Sequence, residues 1–120
     1  MLDHLEIQTR ALPETVEFYR IVLAPLDYTL RIDGPVKGFG NGLRLDLFIR
    51  DGEPSENVHF AFEAKSRAVV DQIYQAAGAA KLNLDRPPAL ASYIHPNYYA
   101  GYLRDPDGRL VEFVCHAPGS

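Results

Sequence analysis

Apolar and polar residues alternate along "DHLEIQT", residues 3–9, so that Leu5 and Ile7 share one face of an expected strand and His4, Glu6 and Gln8 share the other. Pro13 then opens a helical pattern, "PETVEFYRIVLA", with Val16, Tyr19 and Leu23 at helical spacing; it should end before Pro25. "APLDYTLRI" reads as a strand, "DGPVKGFGNG" as a glycine-rich turn region, and "LRLDLFIR" as a further strand closed by "DGEPSEN". After this linker the pattern restarts. "VHFAFEA" is an alternating strand with Val58, Phe60 and Phe62 on one face, and Ser66 caps a helix, "RAVVDQIYQAA", that stops at Gly78. Residues 81–97, including "DRPPALASYIHPN", read as loop, and "YYAGYLR" and "RLVEFVCH" read as a hairpin around "DPDG".

The restart is an internal repeat. An offset of 55 residues lays His4 on His59, Ile7 on Phe62 and Tyr19 on Tyr74; an offset of 66 lays Gly42 on Gly108 and Asp46 on Glu112. Each copy runs strand, helix, strands. The expected fold is therefore α+β, with two βαβββ modules (about 1–52 and about 57–117) related by a pseudo-twofold axis within one domain spanning 1–120. Leu45, Leu47 and Ile49, together with Val111, Phe113 and Cys115, should pack beneath the helices. The opposite strand faces carry His4, Glu6 and Gln8; Arg44, Asp46 and Phe48; His59 and Glu63; and Leu110, Glu112 and Val114.

Those faces bring two imidazoles and one or two carboxylates, each from a different strand, toward one shared concavity. Two histidines and a carboxylate suit a divalent transition metal such as Zn, Ni, Mn or Fe, and leave coordination positions open for substrate. Glu112 sharpens the expectation, because a carboxylate between Leu110 and Val114 is costly to bury without a cation or several hydrogen-bond donors. Asp46 occupies the related position in the first copy but is one methylene shorter, and pairing with Arg44 or Arg104 is the alternative. For substrate, the candidates are Arg44 and Arg104, which can hold an anionic group bidentately, with Phe48, His95, Tyr98 and Tyr102. Turn chemistry is the plain alternative for His95, a solvated edge for the arginines, and core filling for Cys115.

Composition narrows the partners. Of 120 residues, 47% are apolar and 23% charged, with a net charge of −4 and no basic cluster, which argues against nucleic acid. No apolar run is long enough to span a bilayer, no secretory signal opens the chain, and the one cysteine excludes a Cys-rich zinc module. A cytoplasmic location is the resulting expectation. The chain carries no glycine-rich phosphate loop, nucleophile elbow or CxxC pair.

The segments "DHLEIQT", "VEFYRIVLAPLDY", "VHFAFEA" and, most specifically, "DPDGRLVEFV" resemble the vicinal oxygen chelate superfamily, which includes glyoxalase I, fosfomycin-resistance proteins, bleomycin-resistance proteins and extradiol dioxygenases. The resemblance implies paired βαβββ units forming a cup-shaped mixed sheet, a central metal and a small substrate bound through adjacent oxygens. It places the ligands on His4, His59 and Glu112, with Asp46 where glyoxalase I has a glutamate, and gives Glu112 the further role of proton carrier. It implies lyase or isomerase chemistry, or fosfomycin-like thiol transfer; a metal-free binder of the bleomycin-resistance kind is the opposing reading. Homodimers whose cup includes partner residues are also implied by resemblance.

Overall fold

In a computed structural model of the chain, residues 2–119 are described. The first module runs β1 (Leu5–Thr9), α1 (Leu12–Leu23), β2 (Thr29–Asp33), β3 (Val36–Gly40) and β4 (Leu45–Asp51). The second runs β5 (His59–Glu63), α2 (Arg67–Ala79), β6 (Asn83–Leu90), β7 (Tyr99–Arg104) and β8 (Leu110–Cys115). Each module folds its four strands into one mixed sheet, in the orders β1-β4-β3-β2 and β5-β8-β7-β6. The first strand of each module lies parallel to the last, and the others are antiparallel. This is the expected pair of βαβββ units.

Local chemistry explains the element boundaries. Pro13 sits in the first turn of α1, where its missing N–H costs nothing, with Glu14 beside it and Arg20 in the last turn, each at the favourable end of the helix dipole. Just upstream, the buried Thr9 hydroxyl accepts from the Ala11 N–H at 3.0 Å and pairs with the Thr15 hydroxyl at 2.9 Å, fixing the strand-to-helix turn. In α2 the Ser66 hydroxyl accepts from the Val69 N–H at 3.2 Å, satisfying one of the helix's unpaired N-terminal donors.

Two strands lie where the sequence reads as turn and loop. β3 falls inside the glycine-rich "DGPVKGFGNG", and its glycines are needed for packing. A Cβ on Gly38 would stand 3.2–3.3 Å from Ile32, Leu45 and Phe48, and one on Gly40 would meet the Arg44 carbonyl oxygen at 2.0 Å. β6 contains Pro87 and Pro88, which argue against a central strand. It forms the edge of its sheet, where a missing backbone donor is tolerated.

One apolar core joins the modules. Ile7, Phe18, Tyr19, Val22, Leu47 and Ile49 of the first pack with Ile73, Ala77, Leu103, Val111 and Phe113 of the second. Leu47, Ile49, Val111, Phe113 and Cys115 are buried as the alternation predicts, while Leu45 at the start of β4 is partly exposed. Buried polar groups cross the same boundary. The "DPDG" turn folds around Asp105: Oδ1 accepts from the N–H groups of Asp107 and Arg109, each at 3.0 Å, and Oδ2 accepts from the Arg109 guanidinium at 2.8 Å and from the Tyr19 hydroxyl at 2.7 Å. The Arg109 guanidinium also donates to the Gln8 carbonyl of β1. Gly108, at φ +84°, allows the turn to close.

Asp105→Ala should therefore lower folding stability by about 3–5 kcal/mol, because it removes the fully buried carboxylate that holds Tyr19, two turn N–H groups and Arg109, and leaves the buried guanidinium with Asp107 alone, at 3.0 Å. Tyr19→Phe removes one charge-assisted bond and should cost about 1.5–3 kcal/mol. Urea unfolding followed by circular dichroism measures both; equal, negligible losses would contradict a structural role for this contact.

Candidate functional site

The second module concentrates its polar chemistry on the face of its sheet opposite α2. β5 pairs with β8 in a register that sets His59 opposite Leu110 and Ala61 opposite Glu112, and β7 sets Tyr102 opposite Glu112. The His59 Nε2 lies diagonally across from Glu112, 3.0 Å from its Oε1. The Tyr98 hydroxyl, arriving from the loop before β7, donates to Oε2. The Tyr102 ring lies stacked near His59, with ring centres 6.4 Å apart and planes inclined by 24°. This cover leaves Glu112 only 3% exposed, although its face was expected to line an open concavity. The carboxylate is accordingly buried with donors at both oxygens, which removes most of the cost of placing it there.

Burial, followed by the bond and negative charge of Glu112, pushes the Tyr98 phenol well above the ordinary tyrosine range. Burial and Glu112 likewise raise the Tyr102 phenol. Tyr99 points elsewhere: its hydroxyl donates to Asp71 of α2 at 2.6 Å, and that bond, with burial, pushes it up to about 12.

The first module holds a second histidine and carboxylate. Extending the β1–β4 register by one residue beyond Leu5 and Leu47 sets His4 beside Asp46. The His4 Nδ1 lies 2.7 Å from Asp3, and its ring meets Phe48 edge-on with centres 5.5 Å apart. Asp46 Oδ2 accepts from the Tyr28 hydroxyl at 2.9 Å and from the Arg44 Nε at 3.0 Å, while its Oδ1 is buried without a hydrogen-bond partner among the described residues. His4, Asp46 and Ala61 line one small cavity; His59 and Arg104 line another, beside the linker between modules.

Whether these residues suit a metal is decided by their spacing. Two adjacent ligands of one ion, each about 2.0–2.2 Å from it, stand roughly 3 Å apart, as the His59 Nε2 and Glu112 Oε1 do. The unpartnered Asp46 Oδ1 near His4 is a further free donor atom. Among the described residues, however, no three His, Cys, Asp or Glu side chains gather closely enough to hold an ion. One chain thus presents two donor pairs, one per module, and the expected meeting of His4 with His59 and Glu112 is not made within it.

The remaining sequence candidates separate. Tyr98 and Tyr102 stand at Glu112. The exposed His95 uses its Nδ1 to accept from the Asn97 N–H at 3.2 Å, the plain turn chemistry, and its ring faces His116. Arg44 is engaged with Asp46 and the Asp3 carbonyl, and Arg104 with Asp85 and the Gly108 carbonyl. Sequence reading missed Arg86, whose guanidinium lies 3.8 Å over the Tyr102 ring. The prolines that follow it hide the strand, and with it the alternation that would have placed Arg86 on this face.

Comparison with known proteins agrees with this architecture. The chain matches solved structures of a glyoxalase/bleomycin resistance protein from Albidiferax ferrireducens T118 (20% identity, 98% of this chain and 99% of that one, TM-score 0.80) and the fosfomycin resistance protein FosX from Mesorhizobium loti (22%, 98% and 92%, TM-score 0.71). It also matches a lactoylglutathione lyase from Agrobacterium tumefaciens (24%, 96% and 92%, TM-score 0.67). At these identities the likeness is one of fold. A search of the curated proteins returned no match. The family model described as Glyoxalase/Bleomycin resistance protein/Dioxygenase superfamily matches residues 1–113, nearly the whole chain with both modules, and the chain belongs to that superfamily.

Proposed function

We propose that the protein is a metal-dependent enzyme of this superfamily that binds a small substrate through adjacent oxygens and moves a proton beside a carbonyl, acting as a homodimer. The observation that carries this reading is the His59–Glu112 pair, whose donor atoms stand 3.0 Å apart on a sheet face enclosed by tyrosines. In this proposal His59 and Glu112 hold a divalent transition metal, and His4, with Asp46 as an optional fourth donor, completes the set from a second copy of the chain. Such an ion supplies Lewis-acid polarisation of the substrate oxygens.

The chain's own residues account for the rest. Glu112 receives and returns the proton. Tyr98, donating to Oε2, fixes the carboxylate's rotamer and keeps Oε1 directed toward His59. Tyr102 and Tyr98 exclude water from the carboxylate, which strengthens every charge interaction around it. The likeness to a lactoylglutathione lyase and to FosX motivates assays for lactoylglutathione formation and thiol addition to fosfomycin. A metal-free binder is the second reading, and one observation favours it: Tyr98 and His59 already satisfy both Glu112 oxygens without an ion.

Metal content separates the readings. Wild-type protein purified without added metal, or reconstituted with Zn, Ni, Mn or Fe, should hold about one ion per chain, and His59→Ala or His4→Ala should lose it. If the donors come from two copies, a mixed dimer of His4→Ala and His59→Ala keeps one complete set and should regain half the metal. Recovery of none would place the set within one chain, and absence of metal from every reconstituted wild-type sample would leave the binder.

The tyrosine environment predicts a pH dependence. Tyrosines in an unfolded chain ionise near about pH 10, whereas folded Tyr98 resists ionisation, so its contribution to stability is full below about pH 10 and is lost as pH rises beyond it. Glu112→Gln removes the negative charge facing Tyr98. Phenolate absorbance should then show Tyr98 ionising at lower pH than in wild type; an unchanged titration would argue against the contact.

A further inference from the structure

We infer that the open face of the second module carries a recognition site for a small monocarboxylate with an apolar or aromatic body, with Arg86 as the residue that selects its charge. The inference rests on the reading that this face takes the substrate, and it names the substrate's class.

A cavity of about 180 Å³ opens on this face between β6, β7 and the loop joining them, lined chiefly by Arg86, Ala89, Leu90, Tyr93, Ala100 and Tyr102. Drug-sized ligands fill about 300–1,000 Å³, so this one suits a single ring or a short acid. Its walls are apolar or aromatic, with Leu90 half exposed and Tyr93 largely exposed at its mouth. Only one lining residue is charged.

That residue is set for an anion. The Arg86 side chain projects on the same face as Tyr102, its direct partner across the strands, and the central carbon of its guanidinium lies over that ring, 3.8 Å from its centre. Its Nε donates to Asp85 at 3.2 Å, while its two terminal nitrogens have no partner among the described residues. Arg104 shares the same aspartate, donating to it at 3.2 Å, and spends a terminal nitrogen on the Gly108 carbonyl at 3.1 Å. Two cations therefore share one carboxylate, which leaves the pair with a net positive charge, and the free fork of donors falls on Arg86. A carboxylate held there would rest its body against Ala89, Leu90 and Tyr93, next to Tyr102, the residue that faces Glu112 across the sheet and lies beside His59. An anion at Arg86 thus stands one side chain, Tyr102, away from the carboxylate to which the proposed function gives the proton.

The probes are benzoate and its neutral counterpart benzyl alcohol, titrated into the full chain and followed by amide NMR shifts, both as purified and after chelator treatment. The chelated sample excludes direct binding of benzoate to a metal. Benzoate should bind at least about tenfold more tightly than benzyl alcohol, with shifts centred on Arg86, Ala89, Ala100 and Tyr102. Arg86→Ala should abolish that preference, and Arg86→Lys should retain part of it; the exposed position of Arg86 lets both fold, which their amide spectra verify. Equal affinities for the two probes, a preference that survives in Arg86→Ala, shifts centred on Arg44, or no benzoate binding would each overturn the inference. Because the preference is read in chelated protein, it stands or falls separately from metal uptake.

Discussion

A single buried oxygen, Asp105 Oδ2, accepts from the Tyr19 hydroxyl of α1 and from the Arg109 guanidinium of the turn before β8. The same guanidinium donates to the Gln8 carbonyl in β1, so helix, turn and first strand are tied through the buried side chains of Tyr19, Asp105 and Arg109. β8 follows Arg109 directly. Where Arg109 is held, the register of Leu110–Cys115 against β5 and β7 is held too, and that register decides which residues stand around Glu112. Two modules that share a core through apolar packing alone could slide. Hydrogen bonds with fixed directions prevent this.

Much of this frame was legible in the sequence, and the parts that were not have physical reasons. The helices announce themselves through Pro13 and Ser66, and the period-two strands through Leu47, Ile49, Val111 and Phe113, whose burial follows from alternation. β3 and β6 do not, because glycine and proline normally mark turns. Here Gly38 and Gly40 make room for close neighbours, and Pro87 and Pro88 occupy an edge. The strand carrying Arg86 was read as loop, so a residue on the Glu112 face of the sheet was invisible. Alternation alone also could not show that Glu112 would be roofed by Tyr98, since that contact depends on how the loop before β7 closes.

The site itself was legible as a set of donors and less so as a constellation. Period-two logic places His59 and Glu112 on one face correctly, because facing depends only on odd or even spacing. It says nothing of how far apart two strands in different modules stand, and among the described residues His4 and Asp46 do not gather with His59 and Glu112 into one cluster. Glu112 also shows that burial of a charge need not signal a metal by itself, since two phenols and an imidazole can surround it.

The strand registers carry one further consequence. Helix α1 maps onto α2 at an offset of 55, but Leu5 faces Leu47 in the first module whereas Phe60 faces Val111 in the second, so the closing strands correspond at 64 and not 66. By strand pairing it is Phe48, not Asp46, that occupies the place of Glu112. A slip of two residues preserves which side every side chain faces while moving the carboxylate about 6.6–6.8 Å along its strand. The duplicated halves are symmetric as scaffolds and asymmetric as chemistry: the place that holds a buried acid in one half holds a phenylalanine in the other, so duplication of the frame does not duplicate the site.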